Sequence, residues 1–402
     1  MKDFETIKLD DALTMHQYFD EQEKNDIWKD VFTNELEAIP IEDNELLLLT
    51  PEAFRTNLRN GVSADFSPLV DMEDILSTMK TTKTGIAFPL SKMEMFPLRY
   101  TAWTHLQKRA GLEGRSINSL KDRARQKELS PAKRCEMLND CLSLYTDKTK
   151  VLVRDGKVTA LMSGDESDYA VMPVIRLINI LETELQAQYS HFAFSSAKTC
   201  HEITEVSYVL KDQDLEKGIL SILSSNGLNI GKVDVHVQLT TSDVGNCAAR
   251  LTPVVKIDGR QIPIGKSSAV EHKGGSKAIA LYVDMVHLFL AKYRENIENI
   301  NDLMKIRIEY PSSCLSNIVK KIGLVGYNRV LGKAKETLEQ SFRSCTAYDL
   351  YFVLCNMLYD QEQLCLSEHK EINLYTSIKA QETVAEVLFL DFKDFDYMST
   401  TR

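Results

Sequence analysis

The chain is 402 residues long, 44% hydrophobic and 26% charged, with a net charge of −10. This composition supplies a core for two or three ordinary domains and excludes a disordered or fibrous chain, while the acidic balance excludes a surface that is basic throughout. No apolar run approaches the ~20 residues of a membrane-spanning helix, and eight scattered cysteines without a CxxC pair exclude a disulfide framework and point to reduced thiols.

Residues 1–40 read as a polar helical lead-in. Ala12, Met15, Tyr18 and Phe19 fall at helical spacing, and Ile27, Trp28, Phe32 and Leu36 continue it. The opening MKDFETIKLDD has no apolar core, so no signal peptide is expected. Glu45–Leu49 reads as a short strand, and Thr50-Pro51 as the cap and first turn of a helix. Residues 60–84 are expected to be an irregular connection and 84–90 another strand. Pro97 is expected to open a helix that Gly111 ends, and Ser116 and Ser130-Pro131 to start helices over 117–129 and 131–145. Asp155-Gly156 between two apolar runs predicts a two-residue hairpin. Helix 173–188, strand 201–210 and helix 212–225 follow.

The cleanest periodicity lies in residues 232–276. Val233, Val235, Val237 and Leu239 fall on one face of a strand, with Lys232, Asp234, His236 and Gln238 on the other, which predicts a half-buried strand. Ala249, Leu251, Pro253, Val255 and Ile257 repeat the pattern after a Thr241–Asn246 turn, so the two runs are expected to pair. After Ser276 the chain reads as helices over 276–300, 311–322, 328–342 and 346–360. The predicted fold is α+β: an N-terminal helical and irregular segment (1–90), a mixed core with antiparallel hairpins (91–275), and a largely helical C-terminal region (276–402).

Three stretches carry a resemblance. In LSKMEMFPLRYTAWTHLQKRAGL, Arg99, Trp103, Leu106, Arg109 and Gly111 match a helical pattern of tryptophan, leucine and glycine. VLVRDGKVTALMS matches a hairpin with arginine before its turn and alanine after it. TSDVGNCAARLTPVV followed by EHKGG matches an asparagine-serine-acid-x-glycine turn and a later basic-histidine-x-glycine. The chain resembles, over roughly residues 88–275, the phage/plasmid-like protein family built on the domain of unknown function numbered 932. It departs from that pattern where Thr241 replaces asparagine, and where Lys256–Ile264 lacks a cysteine-asparagine-glycine. The resemblance implies a mobile-element setting in a bacterial cytoplasm and no particular reaction.

Between residues 99 and 134 ten cations (Arg99, Lys108, Arg109, Arg115, Lys121, Arg123, Arg125, Lys127, Lys133 and Arg134) face three acids, a charge of +7 that leaves −17 for the rest. With Trp103, this block is a candidate for phosphate contacts and base stacking; it also reads as a solvated helix face with Trp103 in the core. His272, Lys273, Gly274, Gly275 and Ser276 lead into a helix, where glycines and unpaired amides favour an anion, or where a serine simply caps a helix. Gly265-Lys266-Ser267 lacks P-loop spacing. Asp243, Asn246, Glu271 and His272 read as turn residues or as an acid/base or metal group, and Cys200-His201 as structural. No Gly-x-Ser-x-Gly or HExxH occurs. No catalytic residue, metal or cofactor is assigned, which points away from an enzyme. The expected function is nucleic-acid binding, in particular of single-stranded DNA in recombination or replication. A host protein such as a defence component is the alternative partner; self-association is compatible with the sequence and a membrane partner is not expected.

Overall fold

Alternation of apolar and polar residues pairs Val233–Thr241 with Ala249–Ile257 as an antiparallel hairpin, with Val235 opposite Val255 and Leu239 opposite Leu251. A one-residue slip would turn every one of these valines and leucines to the opposite face, so the register is fixed by burial. The computed structural model describes residues 6–40, 46–51, 93–112, 121–122, 127–128, 130–164, 169–189, 191–225, 232–258, 260–291, 293, 295–324, 326–341, 344–370 and 373–398.

The elements begin with β1 (Ile7–Leu9), α1 (Ala12–Asn25), β2 (Ile27–Phe32), β3 (Glu37–Pro40), β4 (Leu46–Pro51), β5 (Met93–Pro97) and α2 (Tyr100–Arg109). Next come β6 (Lys121–Asp122), β7 (Lys127–Glu128), α3 (Pro131–Leu142), β8 (Lys148–Arg154), β9 (Lys157–Ser163) and α4 (Val174–Gln188). The central part holds β10 (Phe192–Thr199), β11 (Thr204–Leu210), α5 (Gln213–Ser225), β12 (Val233–Thr241), β13 (Ala249–Ile257), β14 (Arg260–Pro263) and β15 (Ser268–Val270). The remainder is α6 (Lys277–Ala291), α7 (Glu295–Lys305), β16 (Arg307–Ile308), α8 (Pro311–Ile322), α9 (Asn328–Ser341), β17 (Cys345–Thr346), α10 (Ala347–Ser367) and α11 (Leu374–Glu386). The fold is α+β, with antiparallel sheets throughout its named strands.

The large sheet runs β1-β10-β11-β12-β13-β14, with β15 also on β13. Its apolar face (Val206, Tyr208, Val235, Val237, Leu239, Leu251, Val255) shares a core with Leu177 and Leu181 of α4 and Tyr282 and Val286 of α6. That core takes residues from all three sequence segments, 1–90, 91–275 and 276–402, because β1 and α1 return to β10 and α4. A separate core forms where β2-β8-β9 packs with α2 and α3, around Val151, Val153, Leu161, Trp103, Leu106 and Leu138.

Several expectations are corrected. The helical reading of residues 27–36 gives way to β2, because Ile27–Phe32 pairs along its length with β8. Thr50-Pro51 ends strand β4 instead of starting a helix, and Pro97 ends β5, so that α2 begins at Tyr100. Lys121–Asp122 pairs with Lys127–Glu128, which rules out one helix across 117–129. Residues 201–203 form a turn, and β10 is an additional strand. The helix over 276–300 breaks around Tyr293, whose buried hydroxyl donates to the carbonyls of His236 and Val254, at 2.7 and 3.1 Å. The expected irregular connection at 60–84 and strand at 84–90 lie outside the described residues. The hairpins at 155–156 and 232–257 and helix 311–322 stand where the sequence placed them, and the helix expected over 131–145 starts at Pro131 but ends at Leu142.

The polar face of β12 is not solvent-facing as alternation suggested. His236, Gln238 and Thr240 are buried, as are Glu205 and Ser207 beside them on β11. Helix α10 is fastened over this side by Tyr351 Oη, which donates to the Pro263 carbonyl at 2.8 Å, and α11 by Glu382, 3.0 Å from Arg250. Val235→Asp places an unpaired charge in the apolar core and is expected to cost several (~3–5) kcal/mol. Asp234→Ala, at a half-buried position, should cost no more than ~1 kcal/mol. Urea denaturation of both variants checks the contrast, and equal midpoints would refute the assignment of faces.

Candidate functional site

Arg154 ends β8, just before the Asp155-Gly156 turn, and its side chain is only 8% exposed. Its Nε and Nη2 donate to the two carboxylate oxygens of Asp26 at 2.7 and 2.5 Å, and Nη2 also donates to Asp243 at 2.5 Å. Asp26 joins α1 to β2, whereas Asp243 sits in the turn after β12. One guanidinium therefore ties the small core to the large sheet. Two carboxylates facing one cation leave an excess negative charge, and burial first, then Asp243, raise the Asp26 carboxyl to about 6, against the pull of Arg154.

The same corner carries an aromatic stack. Tyr169 Oη donates to the Asp243 carbonyl at 2.6 Å. Its ring lies nearly parallel to His272, centroids 5.7 Å apart, and also 5.7 Å from Trp28 of β2. Gly245 has a φ of 74°, which glycine adopts without strain, and a Cβ there would come within 2.6 Å of Met162 Cε. Glycine thus lets the β12–β13 turn close onto β9 without backbone strain and without displacing the end of Met162.

Between these elements lies a cleft of about 440 Å³, lined by Met162, Tyr169, Gly245, Arg250, His272 and Lys273 among others. His272 is 6% exposed. Its Nε2 lies 3.4 Å from Thr241 Oγ1, and its Nδ1 has no hydrogen-bond partner among the described residues. Burial lowers its pKa, so the ring is neutral near pH 7, with one nitrogen a donor and the other an acceptor. Arg250 pairs with Glu382 at 3.0 Å and Lys273 with Glu271 at 2.8 Å, the latter pair largely exposed.

The structure divides the predicted basic block. Trp103 is core, at 7% exposure. Arg109 reaches inward: its Nε donates to Thr149 Oγ1 at 2.9 Å, its Nη2 to the Lys148 carbonyl at 3.0 Å, and it pairs with Asp147. Arg99 lies 3.6 Å from Asp155 with 12% of its side chain exposed. Lys108 and Lys133 are exposed, Lys133 beside Glu136, and Arg134 is half-buried. Arg115, Arg123 and Arg125 lie outside the described residues, and Lys121 is described only as part of β6.

The His272–Ser276 candidate splits as well. Gly274 and Gly275 take φ values of 85° and 60°. The amides of Lys277 and Ala278 already donate to the carbonyls of Gly274 and Gly275, at 3.3 and 3.2 Å, so α6 begins after Ser276 with two first-turn donors committed. His272 and Lys273 line the cleft, whereas Asp243 is held by Arg154. Cys200 packs beside Ile203, Cys247 and Leu374. Among the described residues no group of three His, Cys, Asp or Glu side chains could hold a metal. No sequence motif marks Asp26, Arg154 or Tyr169 as site residues. The signal available is Arg154 itself, a charge that follows the apolar run Val151, Leu152 and Val153 just before a tight turn.

The raised Asp26 pKa means that the folded chain holds a proton which the unfolded chain releases between about pH 4 and 6, so this group lowers stability as pH rises through that window. Asp26→Asn cannot titrate. Its stability relative to the parent is expected to rise by about 1–3 kcal/mol from about pH 4 to pH 7. Urea titrations at the two pH values measure this, and a difference independent of pH would refute the assignment. Comparison with known protein families, curated proteins and solved structures found no match.

Proposed function

We propose that the chain is a nucleic-acid-binding protein of mobile-element origin, and that its site is the cleft beside His272. One observation carries the reading: His272, whose buried Nδ1 has no hydrogen-bond partner among the described residues, lines a cleft together with Arg250 and Lys273. A buried polar atom left without a hydrogen bond costs about 1–3 kcal/mol, which a ligand hydroxyl, amide or phosphate offsets. The volume falls within the ~300–1,000 Å³ of sites for single small molecules. It suits one unstacked nucleotide unit, hence a single strand or a strand end and not a duplex.

The two cations differ in what they can offer. The Lys273–Glu271 pair is exposed and worth about 0–1 kcal/mol, so a phosphate can displace Glu271. Arg250 is only 30% exposed and stays with Glu382, a fixed positive end to the cleft. The exposed Lys108 and Lys133 would extend the electrostatic footprint without forming the pocket.

Fluorescence anisotropy with labelled single-stranded and duplex oligonucleotides at several salt concentrations tests the reading. Single strands are expected to bind more tightly. Lys273→Glu should flatten the salt dependence by roughly 0.7 for each phosphate it no longer neutralises. Replacing Arg115, Lys121, Arg123 and Arg125 by glutamate should weaken binding less than Lys273→Glu does. If the parent protein binds neither oligonucleotide at low salt, the nucleic-acid reading is refuted and a host-protein partner replaces it.

A further inference from the structure

The polar face of the large sheet holds a second hollow, of about 210 Å³, roofed by α10 and α11. Lys198, Lys256, Arg260 and Gln261 line it from the sheet, with Tyr359 and Glu362 from α10. Alternation places Lys198 of β10 directly across from Glu205 of β11. Glu205 is tied into a relay: Gln238 Nε2 donates to it, and Gln261 Nε2 donates to Gln238 Oε1, both at 2.5 Å. Burial raises the Glu205 carboxyl, against the nearby charges of Lys198 and Lys256, which lower it.

The cations are the unusual part. Lys256 is half-buried, and its Nζ makes one long hydrogen bond, 3.4 Å to Ser195 Oγ. Among the described residues no carboxylate oxygen lies within 4.0 Å of the Lys198 or Lys256 ammonium. Burial lowers the Lys256 pKa, the mark of a charge short of solvation. Arg260 sits at the rim, its guanidinium 6.0 Å from the Phe352 ring centroid. Glu362, the acid lining the roof, already accepts from Ser377 Oγ at 2.7 Å. A partly desolvated ammonium with no carboxylate in direct contact gains most from an anion that brings its own charge and acceptors. The hollow is smaller than sites for drug-sized ligands, which limits that anion to a compact group.

We propose that this hollow binds a phosphate group, held by Lys198 and Lys256 with Arg260 at its mouth, independently of the cleft beside His272. The phosphate is either the free ion or the head of a small phosphate monoester.

Thermal unfolding and calorimetry test this with inorganic phosphate, with glycerol 3-phosphate, and with sodium chloride at matched ionic strength. Phosphate or the monoester is expected to raise the melting temperature saturably where chloride does not, and the tighter of the two identifies the source. Lys256→Met should raise the melting temperature of the ligand-free protein, by removing a poorly solvated charge, and abolish the response to phosphate. Lys198→Met, at a half-buried position of β10 between β1 and β11, should weaken binding about tenfold or more. The difference between the parent and Lys256→Met in their response to phosphate should persist in a Lys273→Glu background, which separates this site from the cleft. A parent protein that responds no more to phosphate than to chloride overturns the proposal, as does a Lys198→Met protein with undiminished affinity.

Discussion

Arg154 and its two aspartates are the interaction on which the arrangement of the two cores depends. A buried guanidinium must be neutralised and hydrogen-bonded, and here both partners come from outside its own hairpin: Asp26 from the end of α1 and Asp243 from the turn after β12. Asp243 is fixed further by Gln22 Nε2 at 3.1 Å, and Tyr169 holds the carbonyl of the same residue. Each leg ties a different element to the guanidinium, so the α1–β2 corner, the β8–β9 hairpin and the β12–β13 turn hold one another in place. The cleft beside His272 lies between the last two of these, with Tyr169, Glu271 and Lys273 completing its lining. Its position follows from the ion pairs, and its shape from Gly245 closing against Met162.

Burial on both faces is the second constraint on the large sheet. A sheet with one wet face needs nothing from its polar side, but this one is roofed by α10 and α11, and its polar groups must find partners inside. Ser207 Oγ and His236 Nδ1 lie 3.2 Å apart, Gln238 bridges Glu205 and Gln261, and Tyr293 satisfies two strand carbonyls at once. His236 is pushed down to about 4 by burial, so it stays neutral inside this network. The cations beside the network have fewer protein partners than its neutral members, which is why the hollow around Lys256 stands apart.

Charge counted along the sequence is a poor guide to where charge acts in this molecule. The block at residues 99–134 is basic by composition, yet Arg109 spends its donors on Thr149, the Lys148 carbonyl and Asp147, and Arg99 turns toward Asp155. The indole of Trp103 fills the small core. A planar guanidinium that meets several fixed acceptors organises backbone, and what it gives to an external phosphate is correspondingly less.

Local physics alone determined a good part of this protein. Strict alternation in Val233–Leu239 gave the hairpin and its buried face, Asp155-Gly156 gave a tight turn with Asp155 at a φ of 52°, and Ser130-Pro131 gave a capped helix. In each, the deciding interaction lies within a few residues of the pattern that announces it. Tertiary structure decided the rest, because the partners are far apart in the chain. Ile27–Phe32 is a strand only because β8 lies beside it, more than a hundred residues later. His236 and Gln238 are buried only because helices from the last sixty residues cover them. His272 belongs to a cleft because residues from β9, Tyr169 and the β12–β13 turn surround it. Periodicity reports which side of an element is apolar; which distant element packs on the polar side, and which aspartate an arginine meets, depend on contacts that no local pattern encodes.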